Sequence, residues 1–109
     1  MVDIVYDRKK LKVTVKGHAQ SGEAGHDLVC SAVSILVYTL SSNVVQLSAD
    51  KKHIRRPVVD IDEGKATIAC SAVHGMTALA TIMFDAICSG FDILQQQYPE
   101  YINYKIIEG

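Results

Sequence analysis

Between Leu28 and Ala49 the chain carries no charged residue, and Val29, Val33, Leu36, Val37, Leu40, Val44 and Leu47 recur there at helical spacing. Ile35, Tyr38 and Val45 project away from that stripe. A helix with apolar side chains on two sides and no charge must be covered on both. Its Val, Ile, Ser and Thr residues are poor helix formers, so packing rather than intrinsic propensity has to hold it. Segment 76–97 repeats the problem, with Met76, Leu79, Ala80, Met83, Ile87, Phe91 and Leu94 on one stripe and Ile82, Ala86 and Ile93 on another side. Pro99 stops this second helix.

The rest of the chain follows period two. Leu11, Val13 and Val15 alternate with Lys12, Thr14 and Lys16, the pattern of a strand with one wet face. Val2, Ile4 and Tyr6 share a parity upstream, and residues 7–10 supply a polar hairpin connection. Segments 54–62 and 65–72 read as strands joined at Glu63-Gly64, where Gly64 can take positive φ. Pro57 places the first of them on a sheet edge or at a bulge. Residues 101–108 form a last strand. The order strand, strand, helix, strand, strand, helix, strand predicts an α+β fold over 1–109, one domain with a largely antiparallel sheet. Two helices with more apolar surface than one sheet face can cover point to a homodimer through the helices.

Composition narrows the function classes. A formal net charge of −1 argues against electrostatic wrapping of nucleic acid. The basic cluster of Lys51, Lys52, Arg55 and Arg56 with His53 reads as a solvated helix-to-strand connection. The apolar run 32–40, interrupted by Ser34 and Thr39, is too short to cross a bilayer, so no membrane partner is expected. Three cysteines cannot all pair in one chain, and their spacing fits no common zinc framework. Reduced thiols and a cytoplasmic location follow as expectations, with acidic residues where a signal peptide needs a basic start. No phosphate loop or dinucleotide fingerprint is present, and no cofactor is expected.

The chemistry concentrates in one loop. His18 ends a strand, Gly17, Gly22 and Gly25 make the connection pliable, and Cys30 sits on the first turn of the uncharged helix. A free thiol titrates near about pH 8.5, and a helix N-terminus or a neighbouring imidazolium favours its anion. Cys30 is therefore the candidate nucleophile and His18 its base. Asp27 can be read as the helix N-cap, placing Cys30 at the third helical position, as an orienter of His18, or as a bare charge. His26 beside it suits a substrate-facing role, with Gly22 and Gly25 as the substrate loop. Cys70 and Cys88, in a strand and a helix interior, read as packing residues; His53 and His74 read as solvent-exposed. A zinc site from His18, His26 and Cys30 is the weaker alternative and no metal is expected. Asp60, Asp62 and Glu63 fit either an attractor of a basic tail or a solvated turn.

The strings Gly17-His18-Ala19 and Gly25-His26-Asp27-Leu28-Val29-Cys30-Ser31-Ala32-Val33-Ser34 resemble the signature of the ribosomal-processing cysteine proteases called Prp, across essentially the whole chain. One departure is Ser31, where many members carry alanine. The resemblance implies a cysteine endopeptidase with a dyad at Cys30 and His18, and Asp27 and Ser34 as accompanying positions. It implies a substrate as well: a large-subunit ribosomal protein, the twenty-seventh of its series, whose short N-terminal extension is removed through a thioester. Dimerisation is also implied. Competing readings are a dimeric ribosome-associated binding module that does not cut, and a thiol-based redox or metal sensor.

Overall fold

The computed structural model describes residues 1–17 and 26–108, with His26 and Asp27 described in their backbone alone. Strands β1 (Val2–Asp7) and β2 (Lys12–Lys16) form a hairpin, α1 (His26–Ser48) follows, β3 (Ile54–Asp62) and β4 (Lys65–Ala72) form a second hairpin, and α2 (Thr77–Gln97) leads to β5 (Ile102–Ile107). The strands make one sheet in the order β3-β4-β2-β1-β5. All pairs are antiparallel except β1 with β5. The expected α+β order and largely antiparallel sheet hold, with a parallel edge that strand parity alone does not reveal.

Period two sets the faces. Val2, Ile4, Tyr6, Val13, Val15, Ala66, Ile68, Cys70, Ile102 and Tyr104 are buried on one face of the sheet. Lys12, Lys16, Lys65, Asn103 and Lys105 lie on the other, which is open to water. Both helices lie on the apolar face, α1 over β3 and β4 and α2 beside β5, and they pack against each other. Pro57 falls on edge strand β3, at a register shift between Arg55 and Val58, so the edge and the bulge occur together.

In α1 the buried stripe is Val29, Val33, Val37, Leu40 and Val44, with Leu36 and Leu47 half-buried beside it. The helix manages its polar residues by turning them back on itself: Thr39 Oγ1 donates to the Ile35 carbonyl at 2.6 Å, Ser41 Oγ to Val37 at 2.8 Å and Asn43 Nδ2 to Thr39 at 2.9 Å. In α2 the inner face is rotated from the expected stripe. Phe84 and Cys88 are fully buried with Ala80, Phe91 and Leu94, whereas Leu79 is exposed, because Tyr6 stacks on Phe84 at 5.9 Å and draws that side of the helix inward. One further expectation is corrected: His53 is half-buried, its Nδ1 3.8 Å from Asp50 Oδ1. Among the described residues both helices are long and apolar enough to span a bilayer by length and composition alone, and each lays one face on the sheet.

A polar clamp fastens α2 to β1. Arg8 donates through Nε to Asp85 Oδ1 at 3.0 Å and through Nη2 to Oδ2 at 2.9 Å, and the Tyr6 hydroxyl donates to Oδ1 at 2.8 Å. Arg8 hydrogen bonds, with help from Tyr6, hold the Asp85 carboxyl below the usual carboxylate range. A carboxyl depressed in the fold contributes stability above its unfolded value, and that contribution is lost as pH falls through the folded value. Urea unfolding at pH 7 and pH 3 should show a steeper acid loss in the parent than in Asp85→Asn, whose unfolding free energy changes less between the two.

The helices meet closely at Gly90, where an added Cβ would lie 2.7 Å from Leu36 Cδ2. Gly90→Val should therefore destabilise by about 1–3 kcal/mol through overpacking. In the Leu36→Ala background the same substitution should cost measurably less, the difference being read as a coupling energy from denaturant midpoints.

Candidate active site

The sheet and α1 leave a cleft of about 380 Å³ at the end where β2 finishes and β4 begins. Val33 and Val37 of α1 meet Val2, Val15 and Ala66 of the sheet along its apolar floor, while Cys30, Ser34 and Tyr38 stand along the helix side. The opposite wall is the tip of the β3–β4 hairpin, Ile61, Asp62, Glu63, Gly64 and Lys65. A second, more open groove of about 540 Å³ runs over the outer side of α1 past Cys30, Ser31, Ser34, Ile35 and Tyr38. Cys30 thus borders both, between a half-open cleft with an apolar floor and a more open channel. Ser34, one helical turn on, lines both as well.

Gly17 closes the cleft at the end of β2. Its φ is +105°, and a Cβ there would run into the Met1 carbonyl oxygen, so only glycine fits without rearrangement. The Gly17 amide donates to the Gly64 carbonyl at 2.9 Å, fixing the chain exit from β2 against the hairpin tip. Gly64, at φ +72°, makes the turn anticipated for Glu63-Gly64.

The three cysteines separate by environment. Cys30 is partly accessible, whereas Cys70 and Cys88 are buried. Burial pushes the Cys70 thiol up to about 11 and the Cys88 thiol up to about 12, so both stay protonated and inert near neutrality, in agreement with packing roles. Asp62 and Glu63, read from sequence as either tail attractors or turn residues, belong to the cleft wall. Asp62 also serves the turn, its Oδ1 accepting the Glu63 amide at 2.9 Å.

Some expectations change here. The backbone is already helical at His26 and Asp27, so Asp27 is inside α1 and is not its N-cap. Cys30 is therefore deeper than the third helical position, which places its amide within the helical hydrogen-bonding ladder and weakens the pull of the helix dipole. His18, Gly22 and Gly25 lie outside the described residues, as do the side chains of His26 and Asp27. Among the described residues no group of three His, Cys, Asp or Glu side chains is arranged to hold a metal. The lining residues that sequence reasoning missed, Ile61, Lys65 and Tyr38 among them, come from three separate elements. Gly17, named from the sequence as part of the connecting loop, is the lining residue with a local signal, a glycine ending a strand beside a histidine.

Comparison with known proteins supplies the context for this cleft. Residues 1–103 match the profile of the family described as Cysteine protease Prp. The ribosomal processing cysteine protease Prp of Staphylococcus aureus strain Mu50 is 28% identical over 108 residues, spanning 95% of this chain and 97% of that protein. The crystal structure of an essential ribosomal processing protease Prp from S. aureus in complex with a substrate peptide superposes with a TM-score of 0.71 at 24% identity, covering 97% of each chain. The same protease with a covalently linked product peptide gives 0.70 at 23% identity, again over 97% of each chain. SMU.848 from Streptococcus mutans gives 0.68 at 26% identity, over 99% of this chain and 93% of that one. With its family profile matched from the first residue to the last strand, this chain belongs to the Prp family and is a cysteine protease.

Proposed function

We propose that this protein is an endopeptidase that removes the short N-terminal extension of a large-subunit ribosomal protein, the twenty-seventh of its series, with Cys30 as nucleophile and His18 as general base. The observation that carries this reading is the position of Cys30 on the cleft between α1 and the tip of the β3–β4 hairpin. There an extended chain has access to one sulfur while flanking side chains meet the apolar floor of the cleft. Gly17, the residue covalently joined to His18, lines the same cleft. The S. aureus relative, a ribosomal processing protease seen with substrate and with product peptide, supports the substrate class.

In this mechanism His18 takes the Cys30 proton and the thiolate adds to the scissile carbonyl carbon. The tetrahedral intermediate collapses as the C–N bond breaks, His18 returns the proton to the leaving amine, and a thioester remains. The shortened protein departs as that amine; water, deprotonated by His18, then attacks the thioester and releases the excised N-terminal extension as a carboxylate, and the proton held by His18 returns to the sulfur. Since the Cys30 amide belongs to the helical ladder, the oxyanion donors come from the loop that includes Gly22 and Gly25. In this scheme Asp27 orients His18, Ser34 borders the reacting sulfur, and His26 faces the substrate. Asp62 and Glu63 give the hairpin wall negative charge suited to the basic flank of a ribosomal tail.

The assembly belongs to the same proposal: a homodimer, cytoplasmic, with the uncharged helices at the interface and no nucleic acid required. Leu28, Ser31, Ile35, Tyr38, Ser42 and Val45 are all exposed on α1, at alternating spacings of three and four. Leu79, Ile82, Ala86, Ser89, Ile93 and Gln96 repeat that spacing on α2. Each row is opposite its helix's buried stripe, the arrangement of an a/d seam awaiting a partner helix. Ile35→Glu with Ile82→Glu should convert a dimer to monomer in sedimentation equilibrium, while a parent that sediments as a monomer would reject the dimer.

Incubation with the extended ribosomal protein, followed by intact-mass measurement, should show loss of the extension. Cys30→Ala and His18→Ala should each slow it by at least about a thousand-fold. Retention of the full mass beside an active control protease would reject this target, and unaltered cleavage by Cys30→Ala would reject the nucleophile. Brief iodoacetamide treatment of the folded protein at pH 7 should give a single adduct, mapped to Cys30 and absent from Cys70 and Cys88.

A further inference from the structure

We infer that the outer edge of β3, from Val58 to Asp62, is the recognition strand onto which the substrate peptide adds as a sixth strand, its backbone pairing with Val59 and Ile61. This rests on the protease reading above and specifies how the peptide is held.

Backbone direction is fixed by two hydrogen bonds on the far side of the hairpin. The Gly17 amide donates to the Gly64 carbonyl and the Cys70 amide to the Leu11 carbonyl, so Gly64, Ala66, Ile68 and Cys70 turn their polar groups toward β2. The alternate residues Lys65, Thr67 and Ala69 therefore turn theirs toward β3, where they face Asp62, Asp60 and Val58. Val59 and Ile61, opposite Ile68 and Ala66, are left with N–H and C=O pointing to the open edge. Among the described residues no hydrogen bond takes them up.

The edge is guarded unevenly. Its half remote from Cys30 carries Arg55, Arg56 at φ +54°, Pro57 and the register shift, each of which obstructs pairing. The half that runs into the cleft has no proline, no positive φ and no register shift; its charged residues Asp60 and Asp62 bond their backbone toward β4, and Ile61 and Asp62 line the cleft beside Cys30. On the other edge of the sheet the Tyr104 amide is already taken by Gln95 Oε1. Val59 and Ile61 share the helix-side face yet are 41% and 40% exposed, whereas Ile68 and Ala66 opposite them are buried. A strand laid there would place alternate side chains against Val59 and Ile61. The fitting occupant is thus an extended peptide without proline at the paired positions and with apolar residues at every second position, delivered end-on to Cys30.

Val59→Pro and Ile61→Pro test this, since each removes an outward N–H and leaves the β3–β4 ladder intact. With a ten-residue peptide spanning the cleavage site of the extended ribosomal protein, kcat/KM should fall roughly ten-fold in each variant, about one lost hydrogen bond, with an unchanged unfolding midpoint. The second arm uses the unaltered protein and moves a single N-methyl group along the peptide; losses should appear at every second amide. Parental kcat/KM in both folded proline variants, or an N-methyl profile without alternation, overturns the edge pairing while leaving the protease reading intact. Should the parent fail to cut the unmodified peptide, the substrate assignment falls instead. The same N-methyl series measured as binding to Cys30→Ala then decides the pairing, supporting it only if the alternation persists.

Discussion

The burial of the inner stripe of α1 on the sheet is the interaction on which the remainder depends. Val29, Val33, Val37, Leu40 and Val44 carry no charge and little intrinsic preference for helix, so the helix exists because the sheet supplies an apolar face to receive it. Cys30 is inserted between Val29, which is fully buried, and Val33, and its direction is therefore set by how its neighbours pack. A side chain one position from the stripe falls at the boundary between interior and solvent, where a nucleophile has to be. The same sulfur one residue earlier would be sealed.

The second helix completes that face. Gly90 lets α2 approach Leu36, and the Arg8, Tyr6 and Asp85 clamp ties α2 to the end of β1. Together these leave α1 leaning over β3 and β4, and the cleft is the gap between its first turns and the β3–β4 tip. Active-site geometry and helix packing are in this sense one problem. The hairpin contributes rigidity through its Gly64 turn and accessibility through its unpaired outer edge.

Much of this was legible along the chain. Period-two alternation marks the faces of β1 and β2, Pro57 points to an edge or a bulge and meets both, and Glu63-Gly64 marks a tight turn. The environments of Cys70 and Cys88 followed from their neighbours. The family, and protease chemistry with it, was legible from the loop and helix start. The inner face of α2 was misjudged because Phe84 and Leu79 are equally apolar, and only the ring of Tyr6 distinguishes their sides. Asp27 carries the residue type of a cap, yet the backbone at His26 is already helical, a placement that residue type alone does not reveal.

The sequence by itself determined the element order, the two overly apolar helices and the family, since these are written in local periodicity and in contiguous residues. Only the tertiary structure decided the parallel pairing of β5 with β1, the cleft wall from Ile61 to Lys65 and the open edge at Val59 and Ile61. Those features join residues far apart in the chain, through backbone direction and packing that no single segment encodes.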